Sequence, residues 1–279
     1  MFRLRSFDSL LIISTLIGLA LFLMLPVAVA AQTIDIATGK AGGGYDRRAR
    51  QIEQRLEQRG VLSTVINLNG SDEISLALCG GRANLGIMQI DAIYARSLEG
   101  CQMKAVGSYG AEAALILFPP RSDLDELSDL GPGSAVLVDT IGSGSELFWR
   151  TITRIETGED GGNDEWASAR VVNDPLELAN TSAEMGEIDA VVLVRKPDSA
   201  DVQALIGQGW TVGELWDRDI NDLEFNGAAL YRSEKLKIPT PGGKTVKAWG
   251  YEVRSFIAVP RALAEGDRQR FAAITAAAQ

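Results

Sequence analysis

Two glycine loops hold the residues of this sequence best suited to grip a ligand, "GKAGGG" at 39–44 and "IGSGS" at 141–145. Glycine is the costliest residue to order, so a cluster of them between a β-like run and a polar helix means that the backbone itself must approach something closely. A helix that starts at such a loop presents unpaired N–H groups and the positive end of its dipole, which together suit an anion. Lys40 adds a full charge, and Ser143 and Ser145 add hydroxyl donors, although Ser145 has the plainer reading of a helix cap. The chain contains no histidine. That excludes Ser-His-Asp and Cys-His nucleophile systems and most zinc chemistry. Neither loop is a GxGxxG, "GSGSE" is not a GxSxG, and "GGKT" (242–245) lacks the upstream glycine of a P-loop because Ile238 stands there. The sequence calls for no cofactor, no catalytic residue and no metal ligand.

Charge and export narrow the partners. Lys and Arg number 27 against 37 Asp and Glu, a net charge of −10, so nucleic acid is not an expected partner. Arg3 and Arg5 precede an apolar run from Leu10 to Leu25, then Pro26 and the small-residue box Ala28–Ala30. This order predicts a cleaved signal peptide over residues 1–30 and a periplasmic mature protein, with an uncleaved anchor as the alternative. In an exported chain the only two cysteines, Cys79 and Cys101, are expected to pair as a structural staple.

The elements that must position the loops follow from the hydrophobic pattern. "TIDIAT" (33–38), a helix over 45–59, "STVINLN" (63–69), "DEISLALCGG" (72–81), "ANLGIMQ" (83–89), a helix over 91–98 and "AALILF" (113–118) come in order. Strands separated by helices predict an α/β fold of parallel βαβ units. Composition turns to proline, glycine and acid at 119–134, as at a crossing between domains. A second series then runs through "AVLVDT" (135–140), a helix over 146–157, "ARVVN" (169–173), a helix over 175–185, "DAVVLV" (189–194) and a helix over 199–208. "GEDGGNDE" (158–165) reads as a solvated loop. Strands return at "KTVKAWGYEV" (244–253) and "RSFIAVP" (254–260), before an Ala-rich helix.

Five landmarks in order, "IATGKAGGGY" (36–45), "NGSDEISLALCGGRANLGIMQIDAIYA" (69–95), "KAVGSYGAEAALILF" (104–118), "VDTIGSGSE" (138–146) and "ELANTSAEMGEIDAVVLV" (177–194), resemble the TAXI-type solute receptors of tripartite ATP-independent (TRAP) transporters. The resemblance implies a two-lobed, type II Venus-flytrap fold, each lobe a mainly parallel sheet flanked by helices. It also implies a non-catalytic role, delivering a small carboxylate-bearing solute to TRAP permease subunits in the membrane. Lobe 1 is expected at 31–118 plus 228–279 and lobe 2 at 119–227, with crossings near 116–122 and 225–231. Carried over residue by residue, it puts Gly43, Gly44 and Tyr45 on the first-lobe wall, with Ser71, Gln89 and Asp91 at later strand ends. Tyr109 and Glu112 fall near the crossing, and Ser143, Gly144 and Ser145 face them.

That set holds Asp91 and Glu112 but no arginine, which favours an amino acid or similar zwitterion over a dicarboxylate. Two other partners suit the same fold, an ATP-driven (ABC) importer and a membrane sensor kinase. An exported carboxylate-dependent hydrolase is the reading from a different class.

Overall fold

The computed structural model describes residues 33–158 and 161–279; the expected signal peptide over 1–30 lies outside the described residues. The first half begins with Ile34–Thr38 (β1), buried along almost its whole length as a strand covered on both faces must be. Helix Gly44–Glu57 (α1) buries Ala49, Ile52 and Leu56 on one stripe and gives its other faces to charge. Ser63–Asn67 (β2), Ser71–Cys79 (α2), Leu85–Gln89 (β3) and Ile90–Leu98 (α3) complete this half and lead into the long strand Met103–Phe118 (β4). The second half repeats the plan with Ala135–Leu137 (β5), Gly144–Glu156 (α4), Arg170–Val172 (β6), Ala179–Glu184 (α5), Ala190–Arg195 (β7) and Ala200–Gly207 (α6). Short elements follow, Thr211–Gly213 (β8), Arg218–Asp222 (α7) and the Glu224–Phe225/Ala228–Ala229 hairpin (β9, β10). Arg232–Pro239 (β11), the second long strand Thr245–Pro260 (β12), Arg261–Gly266 (α8) and Arg268–Ala278 (α9) close the chain.

One sheet runs through both halves in the order β2-β1-β3-β12-β4-β7-β5-β6, with β11 added to β12 and β8 to β4. β1 pairs in parallel with β2 and β3, and β5 in parallel with β6 and β7, so each half is a βαβαβ unit with its first strand in the middle. Between them the antiparallel pair β4/β12 passes from one core to the other. Ala113, Leu115 and Leu117 of β4 pack with Leu236, Ile238 and Ala248 against β7. Ile257 and Val259 of β12 pack with Ile34, Ile36 and Ile52 in the first half.

Four segments differ from the expected pattern. "KTVKAWGYEV" and "RSFIAVP" are one continuous strand, and "AALILF" is only the buried end of β4, whose first half is largely exposed and carries no apolar run. β11 has no counterpart in the sequence reading. It is a lysine-bearing edge strand ending in Pro239, and such residues blunt edges at the expense of the hydrophobic signal. The helix expected over 175–185 is a 3-10 turn at Leu176–Leu178 followed by the short α5.

The charged face of α1 has a structural use. Arg48 and Arg55, with Arg59 just past the helix end, donate to the carbonyls of Ala278, Ala277 and Ala276 at 2.7, 3.0 and 3.2 Å, supplying cations to the C-terminal end of α9. Cys79, the last residue of α2, is bonded to Cys101 just before β4, as the composition led one to expect. Replacing both cysteines by serine is expected to lower the urea-unfolding free energy by about 3 kcal/mol, the loop-closure value for a staple of this span. Dithiothreitol should reproduce the loss in the wild type and leave the double variant unchanged.

Candidate functional site

The two glycine loops are the same device built twice. In the first, Gly43 N–H donates to the Lys40 carbonyl at 3.1 Å and Gly42 N–H to the Asp46 carboxylate at 2.9 Å. In the second, one hundred positions on, Ser143 N–H donates to the Thr140 carbonyl at 3.0 Å and Gly142 N–H to the Glu146 carboxylate at 3.2 Å. Gly42 and Gly142 lie at φ 77° and 81°, a left-handed conformation that only glycine adopts cheaply. Arg50 and Arg150, one turn further along, hold the two acids at 3.5 and 2.9 Å. In both loops a first-turn acid pins the turn so that the helix's remaining N–H groups face outward.

They face each other. A Cβ on Gly70, in the turn before α2, would fall on the Gly142 carbonyl oxygen. One on Gly144 would lie 2.6 Å from the Gln89 amide, and one on Gly44 would lie 2.5 Å from the Tyr109 hydroxyl. Between the loops lies a cavity of about 700 Å³. The starts of α1 (Gly44), α2 (Ser71), α3 (after Gln89), α4 (Gly144) and α6 (after Ser199) all line it. No side chain caps α1, α2 or α3.

Lys40, Gly43, Gly44, Tyr45, Ser71 and Gln89 line the cavity from the first half. Tyr109 and Glu112 line it from β4, and Ser143 and Gly144 from the second half. Tyr109 sits at a register shift, where β12 pairs Ser255 with Gly110 and Phe256 with Ser108. The bulge turns its ring edge-on to Tyr45, centroids 5.1 Å apart. The Tyr45 and Ser255 hydroxyls are 2.6 Å apart, and burial raises the Tyr45 phenol well above its ordinary pKa. Ser71 Oγ accepts from Gln89 N–H at 3.1 Å and so fixes the end of β3. Gln89 is 2% exposed, and among the described residues its Oε1 has no partner.

Asp91 and Ser145 do not line the cavity. Each is the second residue of its helix, and the 100° step from the first residue carries the side chain away from the loop side. Asp91 is fully buried; it accepts from the Tyr231 hydroxyl at 3.1 Å and from Ala92 N–H at 2.9 Å. Desolvation, only partly offset by those bonds, raises its carboxyl to about 7. Ser145 Oγ accepts from Val194 N–H at 2.9 Å.

The expectation of a site without arginine is overturned, because Arg47 and Arg195 both line the cavity, together with Lys196. Arg195 is held by Asp139 at 2.8 Å and Asp201 at 3.0 Å. It ends β7, the strand that matches β3 in the other half. Its place at a strand end, like that of Gln89 at the end of β3, is the signal in "DAVVLVRK" that could have found it. Arg47 sits on the first turn of α1, and Asp139 at φ 67° opens the second loop; no sequence pattern marks either. Burial raises the Glu112 carboxyl, with Arg195 and Lys196 opposing.

This architecture is found in solved structures. The periplasmic aliphatic sulphonate binding protein SsuA from Escherichia coli is 18% identical, over 88% of this chain and 72% of that one, with a TM-score of 0.50. The periplasmic sulfonate-binding protein SsuA of a putative sulfonate ABC transporter from Methylobacillus flagellatus KT is 12% identical, over 88% and 67%, with a TM-score of 0.53. The chain has the two-lobed α/β fold of periplasmic binding proteins. No family model matches it, and no curated protein does.

Two outcomes are expected. Gly70 has an extended backbone, φ 174°, that any residue adopts, so Gly70→Ala should fold normally while its methyl holds the second loop off. Small-angle scattering should then give a larger radius of gyration than wild type, with unchanged far-UV circular dichroism. For Asp91, the folded state keeps a proton up to about pH 7 that the unfolded chain releases near 3.8, so its contribution is present at low pH and lost as pH rises through that window. Asp91→Asn should remove this decline, narrowing the fall in melting temperature between about pH 4.5 and about pH 7.5 by roughly 5 °C.

Proposed function

We propose that this chain is a periplasmic solute-binding protein that closes on one small carboxylate-bearing solute and passes it, chemically unchanged, to a membrane transporter. The observation that carries the reading is the shared cavity onto which both glycine loops and five helix starts converge. Unpaired N–H groups of that kind are satisfied by an oxyanion. Lys40, Arg47, Arg195 and Lys196 against Glu112 and Asp139 give the wall an excess of positive charge, which supports an anionic group on the ligand. The Glu112 side chain makes no hydrogen bond or ion pair among the described residues, so it is the acid available to a ligand ammonium.

The lobes are best divided within β4 and β12, because the buried ends of these strands belong to different cores. Closure then bends the bulged stretch of β4/β12 around Tyr109 and Ser255. Among recipients, an ABC importer is favoured by the fold likeness to the Methylobacillus protein, which is described as part of such a transporter. The order of the sequence landmarks favours a TRAP permease as the second reading. No helix of the described residues is long and apolar enough to cross a membrane, in keeping with a receptor that meets its transporter as a separate chain.

A thermal-shift panel of amino acids, dicarboxylates and alkanesulfonates should yield one class that raises the melting temperature. That ligand should be recovered intact after incubation. Failure of every small anion to shift the transition would sink the proposal, and turnover of the ligand would replace it with the hydrolase reading. Glu112→Gln reports the ligand's cation: an ammonium-bearing solute should bind about tenfold more weakly, whereas a dianion should bind more tightly. Vesicle uptake that stops with vanadate marks an ABC importer, and uptake that persists on an ion gradient marks a TRAP permease.

A further inference from the structure

At the far end of α4 from the cavity, carboxylates collect. Glu156, the last residue of that helix, is completely buried. One carboxylate oxygen from each of Glu156, Asp164 and Asp217 lies within 4.8 Å of the other two. Asp219 joins them: a point one bond out from the Gly162 Cα, where a Cβ would stand, lies 2.9 Å from Asp219 Oδ2 and 2.9 Å from Glu156 Oε1, and 3.8 Å from Asp164 Oδ1. Three separate stretches therefore contribute, namely the end of α4, the loop at 161–164 and the start of α7. The sequence reading treated 158–165 as a plain solvated loop; residues 159 and 160 lie outside the described residues.

The hydrogen bonds leave this cluster short of positive charge. Glu156 Oε1 accepts from Asp164 N–H at 2.7 Å. Asp217 Oδ1 accepts from the N–H groups of Asp219 and Ile220 at 2.8 and 3.0 Å, and its Oδ2 from Trp166 Nε1 at 3.3 Å. Among the described residues, the buried Glu156 Oε2 has no hydrogen-bond partner. Arg218 pairs with Asp219 at 3.1 Å but is largely in solvent, and among the described residues no other lysine or arginine forms an ion pair with these acids. The C-terminal end of the α4 dipole adds to the repulsion at Glu156. A buried carboxylate oxygen without donor or counter-ion is costly to keep, and a cation removes that cost.

We infer that Glu156, Asp164 and Asp217, with Asp219 beside them, bind a divalent cation, and that the cation is calcium. The donors are hard carboxylate oxygens, the chain has no imidazole and its two cysteines are bonded to each other, and three or four acids from separate stretches suit the larger, less demanding ion better than magnesium. A surface cavity lined by Asp164, Trp166, Asp217 and Asp219 gives the ion access from solvent. Bound there, it ties α7 and the 161–164 loop to the 13-residue helix whose opposite end forms the second glycine loop.

Trp166 supplies a probe, because terbium, a calcium surrogate, luminesces when excited through a nearby indole. The full-length mature protein, stripped with EDTA and free of solute, should show saturable tryptophan-sensitised terbium luminescence that calcium displaces and magnesium displaces at least about tenfold less well. Calcium alone should raise its melting temperature. Glu156→Gln and Asp164→Asn should each weaken terbium binding about tenfold or more and abolish the calcium-dependent thermal shift. Asp164 is exposed, so its variant keeps the test decisive if Glu156→Gln fails to fold. The inference is overturned by absence of sensitised luminescence in the wild type, by terbium binding that calcium does not displace, or by folded variants that bind as tightly as wild type. None of these results bears on the solute cavity, which lies at the other end of the helix.

Discussion

The first N–H groups of an α-helix have no partner inside the helix, and this fold directs that deficit from five helices into one hollow. The rest of the architecture follows from the need to keep those groups unpaired yet out of bulk solvent. Parallel strands put their carboxyl ends, and therefore the helix starts, along a single edge of each half. The central antiparallel pair then turns the two edges toward one another. The N-cap residues of α1, α2 and α3 put no side chain on the helix amides, and in α3 only Asp91 accepts from a first-turn N–H, that of Ala92. In the proposed solute site, the donors offered to an anion are largely backbone groups, with Arg195, Lys196, Arg47 and Lys40 adding charge at the wall.

The duplicated loop shows how little sequence such a device needs. A left-handed glycine, a helix start two residues later, an acid reaching back to the glycine N–H and an arginine one turn on suffice, and both copies are complete. The copies differ where they cap: Ser143 accepts from Glu146 N–H at 3.1 Å, whereas Gly43 offers no side chain. The first loop thus leaves more of its backbone free. At the rim, Arg150 of α4 also reaches Asp72 of α2 at 3.2 Å, an ion pair between the halves. Half-exposed, it is worth at most about 1 kcal/mol.

Acidic side chains have opposite fates at the two ends of α4. At its start, Glu146 is satisfied by the Gly142 N–H and by Arg150. At its end, Glu156 is buried among other acids with one oxygen unpartnered, and burial followed by the charges of Asp217, Asp164 and Asp219 pushes its carboxyl up. The same residue type stabilises a helix at one pole and opposes it at the other, because the dipole reverses sign along the axis.

What the sequence determined by itself was whatever depends on local pattern: alternating strands and helices, the two strand–glycine–helix junctions, and the pairing of the only two cysteines. These are legible because hydrophobic period, glycine clustering and cysteine count need no knowledge of neighbours. Tertiary structure alone decided which residues face the cavity. It buried Asp91 and Ser145, since a 100° helical step separates lining from core, and it brought in Arg195 and Ser255 from strands distant in the chain. It also joined two apparent strands into β12 and gathered Glu156, Asp164, Asp217 and Asp219 from separate stretches. Convergence of this kind is set by strand order and register, which are properties of how elements pack and leave no periodic trace in the order of residues.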